Sequence, residues 1–324
     1  MARLPLKLVG YPWDHVVPLL TREIEPEGID LTYDITSGLG ALATDQSLDG
    51  GEGSVGGYML RTARGQRDIV GLPIFPMVAF RHRCFLVKRG TVIRDLKELE
   101  GKRVGMDGWP NSGNTWTKIT LTQAGVDIWK ITWVIAPVDG PADASHGHAP
   151  ADGPTNVVGG PAGKSLVDLL LSGEIDVLVT AFMPRRFFEQ NSPLVPMLPD
   201  YPAHEQAYYE KHGYIPGHHL LTLRREVVER HPWVAQSLLD AYTAAKRLTL
   251  ERRRHYADTT PWLLEDLSRA AAVFGDDWQP YGLAANLPML TDFCQGQLQQ
   301  RLVPQAVDPA VAFADAARLL DGAS

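Results

Sequence analysis

The chain has 324 residues, 44% hydrophobic and 21% charged, with 31 Lys and Arg against 38 Asp and Glu and a formal charge of −7. That length suits two domains or one large one, the composition excludes a mainly disordered chain, and the acidity argues against a nucleic-acid binder, which presents a basic face. The two cysteines, Cys84 and Cys294, are too few for a disulfide framework and lack metal-ligand spacing. "MARLPLKLVGYPWD" lacks the apolar core of a signal peptide, and no apolar run approaches the ~20 residues of a membrane span, so the expectation is a cytoplasmic protein away from membranes.

"LPLKLVG" (4–10) reads as a short strand, and "HVVPLLTREI" after it as helix-like with Pro18 as a blemish. "GIDLTYDI" alternates Ile29, Leu31 and Tyr33 with polar neighbours, the period of a strand. "SLDGGEGSVGGYMLRTARG" is Gly-rich and then helical; its glycines either admit close backbone approach or form a loop, and they lack the strand–GxGxxG–helix context of a dinucleotide site. "KRVGM" opens a second block, with helix-like "NTWTKITLTQAGV", strand "KITWVIA", helix 166–172 and strand 175–180. Residues 137–164 hold five prolines and six glycines, a density that favours a mobile loop. From 219 a strand leads into a helix on which Val234, Leu238, Tyr242, Ala245 and Leu248 share one face. Thr260-Pro261 and Asp308-Pro309 each read as a cap followed by Pro at the first helical position. No internal repeat is visible. The sum is an α/β protein of two lobes joined by a hinge, 1–90 with 215–324 forming one and 91–214 the other.

Polar clusters fall where strands end, the place at which open α/β sheets bind ligands. "GYPWDH" brings Tyr11, Asp14 and His15, with Asp14 equally readable as a helix cap. "DGGEGSVGGY" brings Glu52 and Ser54, where the plainer reading is a solvated Glu. "FPMVAFRHRCFLVKRG" (75–90) sets Arg81, His82 and Arg83 between two apolar runs. A buried cation is costly unless paired or wet, so the stretch is either a surface kink or a place that receives an anion. If extended, it puts Arg81 and Arg83 on one face and His82 on the other. Arg185 and Arg186 follow Pro184, and a solvated pair is the plainer reading there. Of the adjacent His218 and His219, only one can face a cleft. "SHGHAP" (145–150) is weak evidence for metal, and "ERRRH" (251–255) reads as a solvated helix face. No HExxH, GxSxG or P-loop occurs. The residues alone therefore stop at a two-lobed α/β protein with a polar, cationic cleft suited to a small anion.

At these same residues the chain resembles the bacterial 4,5-dihydroxyphthalate decarboxylases, which look like type 2 periplasmic solute-binding proteins without export signals. The likeness runs through "EPEGIDLTY" (25–33), "IFPMVAFRH" (74–82), "LEGKRVGM" (99–106), "SGEIDVLVTA" (172–181), "DYPAHEQAYYEKHGYIPGHHLL" (200–221), "RHPWVAQSLLDAY" (230–242) and "WQPYGLAANLPMLTDF" (278–293). Glu52, Ser54 and Tyr58 match the family's Glu-x-Ser-x-x-x-Tyr, while Gly50 and Gly51 replace larger residues, and "DGWPNSGNTW" and the 137–164 loop also depart from it.

The resemblance implies a type 2 periplasmic-binding-protein-like fold with an interlobe cleft, and loss of CO₂ from a hydroxylated aromatic dicarboxylate. His82, with His219 as runner-up, would supply the proton. Glu52 or Asp14 would polarise the phenol. Arg81 and Arg185 would hold carboxylate, with Tyr11, His15, Ser54, Asn114 and Thr115 completing the substrate contacts. No organic cofactor is implied; a divalent metal and a homo-oligomer are left open. The competing function is a binding protein for a small aromatic or dicarboxylic acid, without catalysis.

Overall fold

The computed structural model describes residues 2–36, 38–140, 149–150 and 153–321. Its strands are β1 Leu4–Gly10, β2 Ile29–Ile35, β3 Gly50–Ser54, β4 Ile69–Val78, β5 Phe85–Lys88, β6 Arg103–Met106, β7 Thr132–Ile135, β8 Val157–Gly159, β9 Val177–Val179, β10 Leu194–Pro196 and β11 Gly217–Arg224. They form two sheets, and the chain divides into two compact units. One comprises 1–79, 217–295 and 303–324; the other comprises 80–216 and 296–302. The division read at residue 90 falls late, because β5 pairs antiparallel with β9 and β10 and so belongs to the second sheet. The return of 296–302 to the second unit carries no sequence signal.

The first sheet has the order β2-β1-β3-β11-β4. β1 runs parallel to β2 and β3, and β11 antiparallel to β3 and β4. β2 keeps its alternation, with Ile29 and Leu31 inside and Asp30 and Thr32 outside. β4 carries Pro73 and Pro76, which a strand tolerates at the edge of a sheet, where β4 lies. The glycine-rich stretch is a strand, not a loop. Gly50 and Gly51 are there because the neighbours come close: a Cβ on Gly51 would stand 2.7 Å from the Val9 carbonyl oxygen, and one on Gly50 would stand 2.5 Å from that of Thr222. Helix Val55–Ala63 follows β3, and helix Val234–His255 buries Val234, Leu238, Tyr242 and Ala245 of the face read from its period, with Leu248 half-buried at its end. The first helix is only Val17–Leu20, with Pro18 in its opening turn, where the missing N–H costs little. Asp308 caps the helix Pro309–Ala312, but Thr260 caps nothing: helix Leu263–Phe274 begins after Trp262, whose φ is 65°.

The second sheet has the order β10-β5-β9-β6-β7-β8 and is covered on both faces. Phe85, Val87, Trp133, Ile135, Val177 and Val179 fill one core, and their neighbours Leu86, Val134 and Leu178 fill the other, the two-residue period of strands buried on both sides. Helix Leu166–Ser172 starts on a Ser165–Asp168 capping box and stops at left-handed Gly173. Helices Ser112–Gln123 and Tyr201–His212 belong to the same unit. "SHGHAP" and the middle of the Pro/Gly-rich loop lie largely outside the described residues.

Candidate active site

In the first unit the chemistry gathers on Glu52, in the central part of the sheet. Its side chain is 1% exposed. Oε2 accepts the Tyr11 N–H at 2.9 Å, and Oε1 accepts the Trp13 indole N–H at 2.9 Å. Oε1 also lies 2.5 Å from His219 Nδ1. β11 pairs with β3 so that His219 faces Ser54, one step diagonal to Glu52. His218 points the other way and meets the Ala79 carbonyl oxygen at 2.9 Å, as strand alternation requires. The His219 ring is flanked by Tyr11, stacked at 5.8 Å between centroids, and by Trp13 at 6.1 Å. Because both Glu52 oxygens already accept N–H groups, His219 donates to Glu52 from Nδ1. Gly10 makes room for this cluster: a Cβ there would stand 2.2 Å from the Tyr33 hydroxyl and 3.1 Å from Glu52 Oε2.

Other candidates in this unit are placed differently. Ser54 caps helix Val55–Ala63, accepting the Gly57 N–H at 2.9 Å. Asp14 caps nothing; it is exposed and pairs with Arg253. With His15, Lys246, Arg253 and Trp278 it lines a cavity of about 430 Å³. Burial lowers His15 to a pKa of about 4, aided by Lys246 and Arg253 and opposed by Glu52 and Asp14. Tyr33 and Tyr242, hydrogen-bonded to each other, and Tyr281 lie close enough for Glu52 to add to the upward push that burial gives their hydroxyls.

The remaining candidates belong to the second unit. Residues 82–84 form a 3-10 turn, so Arg81, His82 and Arg83 do not alternate as in a strand. Arg81 is buried, with Nε donating to Thr117 Oγ1 at 3.1 Å. Arg83 is exposed, and its backbone N–H donates to Glu205. His82 is buried between His204, 6.1 Å away between ring centroids, and Tyr208, 5.5 Å away. Burial, then the charge of His204, lowers His82 to about 4. Asn114 spends its amide on Asp107 and the Gly108 carbonyl, and Thr115 is wholly buried. Arg185 is exposed on the short turn Arg185–Phe188. Among the described residues no cluster of three or more His, Cys, Asp or Glu could hold a metal ion.

Sequence reasoning passed over Trp13, whose indole holds Glu52, and Lys118, which is fully buried with Nζ 3.4 Å from the Trp109 ring centroid and bonded to the Trp109 carbonyl. Trp13 sits in the quoted "GYPWDH", but nothing in a linear pattern marks an indole for a carboxylate 39 residues on.

No protein-family model matches the chain. It is 27% identical over 322 residues, 97% of each chain, to a 4,5-dihydroxyphthalate decarboxylase from Comamonas testosteroni. A protein of the same name from Pseudomonas putida is 26% identical over 204 residues, 61% of this chain and 78% of that one. Among solved structures, the periplasmic aliphatic sulphonate binding protein SsuA from Escherichia coli superposes with a TM-score of 0.56 at 14% identity, covering 96% of this chain and 91% of its own. The desulfurization enzyme DszB superposes with a TM-score of 0.55 at 15% identity, covering 99% and 100%. The class is thus a two-lobed, type 2 periplasmic-binding-protein-like α/β protein. Both of the curated proteins it resembles in sequence carry the name 4,5-dihydroxyphthalate decarboxylase.

Proposed function

We propose that the protein is a carboxy-lyase that removes CO₂, without an oxidant, from a hydroxylated aromatic dicarboxylate, 4,5-dihydroxyphthalate or a close analogue. The observation that carries the reading is the buried Glu52 holding His219 by Nδ1 at 2.5 Å, in a chain similar along 97% of its length to a protein of that name. In the reaction the bond between ring carbon and carboxylate breaks and its electron pair stays on the carbon. That carbon takes a proton from His219 Nε2, CO₂ leaves, and His219 recovers a proton from solvent. A hydroxyl para to the carbon feeds electrons into it. Glu52 orients the donor, since its oxygens are engaged by Tyr11, Trp13 and His219 and neither is offered to a phenol. His219 takes the donor's role ahead of His82, whose imidazole stays neutral until the pH falls to about 4. The chemistry needs no organic cofactor. A cytoplasmic site of action and a place in phthalate catabolism go with the same proposal.

The test is incubation with 4,5-dihydroxyphthalate, with CO₂ and protocatechuate as readouts. His219→Asn, which cannot deliver the proton, should lower turnover about 100- to 10,000-fold while the diacid still binds. His82→Asn serves as the comparison, and near-parental turnover in His219→Asn sinks the assignment. The structural likeness to SsuA favours one second reading, a binding protein without catalysis. Binding of the diacid with no CO₂ from the parent chain decides for it.

A further inference from the structure

The loop after β1, Tyr11-Pro12-Trp13, supplies two of the N–H groups that Glu52 accepts. The Tyr11 backbone reaches Oε2 and the Trp13 indole reaches Oε1, each at 2.9 Å. Trp13 is itself fixed, because its carbonyl oxygen accepts the N–H groups of Val16 at 2.7 Å and Val17 at 3.1 Å. Its ring lies 6.1 Å from that of His219 and 5.3 Å from that of Tyr11 between centroids. Oε1 thus serves two nitrogens, Trp13 Nε1 and His219 Nδ1. Of these the indole nitrogen can only donate.

When His219 carries the proton it is to deliver, the hydrogen between it and Glu52 has two places to sit. On Nδ1 it makes an imidazolium beside a carboxylate, and Nε2–H is then a ready acid. On Oε1 it makes a neutral imidazole beside a carboxylic acid, and Nε2–H is then a poor one. An N–H donated to Oε1 bonds more strongly when that oxygen bears charge. The indole therefore favours the first arrangement.

We propose that Trp13 is a positioning residue for the proton donor: its indole N–H, sharing Glu52 Oε1 with His219, keeps the hydrogen between the two on Nδ1, so that the loaded donor is an imidazolium. The sequence "GYPWDH" then contributes to the chemistry through its indole, while Asp14 of the same stretch is solvated. The effect on turnover rests on the decarboxylase reading; the placement of the hydrogen does not.

The experiment is nitrogen-15 NMR of the full chain labelled in histidine, at about pH 5, below the usual imidazole range. The His219 signals are identified by their loss in His219→Asn. In the parent, Nδ1 should carry its hydrogen. Trp13→Phe keeps an aromatic ring and deletes the N–H, so the hydrogen should shift toward Glu52 and Nδ1 should move toward the signal of a bare imidazole nitrogen. On 4,5-dihydroxyphthalate, Trp13→Phe should lower kcat about 10-fold with KM little changed, a usual size for partners in one hydrogen-bond network. In a His219→Asn background the same change should cost nothing further. An unchanged Nδ1 signal in Trp13→Phe overturns the proposal, as does an equal fall in kcat with and without His219, which is what a purely structural role gives. A parent that releases no CO₂ sinks the decarboxylase reading and leaves the NMR result to decide where the hydrogen sits. Should Trp13→Phe fail to fold, the indole N–H signal of Trp13 in the parent should move as His219 titrates, and a signal that stays still overturns the proposal.

Discussion

Glu52 accepts three nitrogen contacts on two oxygens, from the Tyr11 backbone, the Trp13 indole and His219 Nδ1. A carboxylate is the one side chain of that size whose two ends both accept, and an amide presents a donor at one end. Glu52→Gln must therefore turn an NH₂ toward an N–H or lose the His219 contact. The expected cost is about 1–3 kcal/mol in urea unfolding, the range for a buried polar group left unsatisfied. On the proposed mechanism, turnover should fall with KM little changed, because His219 loses its anchor. Parental stability and turnover in Glu52→Gln would leave Glu52 no orienting role. The contrast with Asp14 is instructive: both were read from the sequence as acids beside strand ends, yet Asp14 is solvated and paired with Arg253 while Glu52 is enclosed.

The turn His82–Cys84 and the helix Tyr201–His212 pack through an aromatic face on which His82, His204, Tyr208 and His212 meet. His82 is lowered to about 4 from an ordinary 6.5, so the unfolded chain binds its proton first as pH falls. Stability should be full above pH 6.5, decline between 6.5 and 4 by up to about 3 kcal/mol from this residue, and change no further through it below 4. His82→Leu should flatten that slope in Tm measured against pH, and an unchanged slope would rule His82 out as its source. His15 acts in the same direction, so the parent-minus-variant difference is the quantity to follow. On helix Ser112–Gln123, burial lowers Lys118 well below its usual value. The unfolded state again holds more protons, and this contribution to stability rises with pH up to about 10.5. Lys118→Met should thus gain stability relative to the parent as pH falls below about 10.5, a gain read as the parent-minus-variant difference in Tm against pH.

The first unit is assembled from three stretches of chain, and β11, near the middle of its sheet, arrives only at residue 217. Its core also depends on the last stretch. Phe313 is fully buried, 5.4 Å from the Tyr58 ring and 6.4 Å from that of Phe75 between centroids, and the Tyr58 hydroxyl donates to the Ala312 carbonyl at 2.6 Å. Ending the chain after Leu302 strips that packing from the first unit and leaves both cores of the second sheet whole. Hydrogen exchange should then quicken in β4 and helix Val55–Ala63 while β6 and β7 stay protected. Uniform quickening would show that the two units do not keep separate stabilities.

Period and punctuation were legible along the chain because they are local physics. The alternation of Ile29 and Leu31, the stop at Gly173 after helix 166–172, and the buried face from Val234 to Ala245 act within a turn or two of backbone. The two-lobed α/β class, and Glu52 and His219 as residues of interest, were likewise readable from strand ends and from resemblance. The pairing of Glu52 with His219 was not, because those residues lie 167 positions apart and meet only through the antiparallel register of β3 with β11. Solvation was equally hidden: Arg81, Arg83 and Arg185 carry the same group, but only the fold buries the first and exposes the other two. A charge takes its energy from the dielectric and the partners around it, and both are supplied by distant segments packed against it.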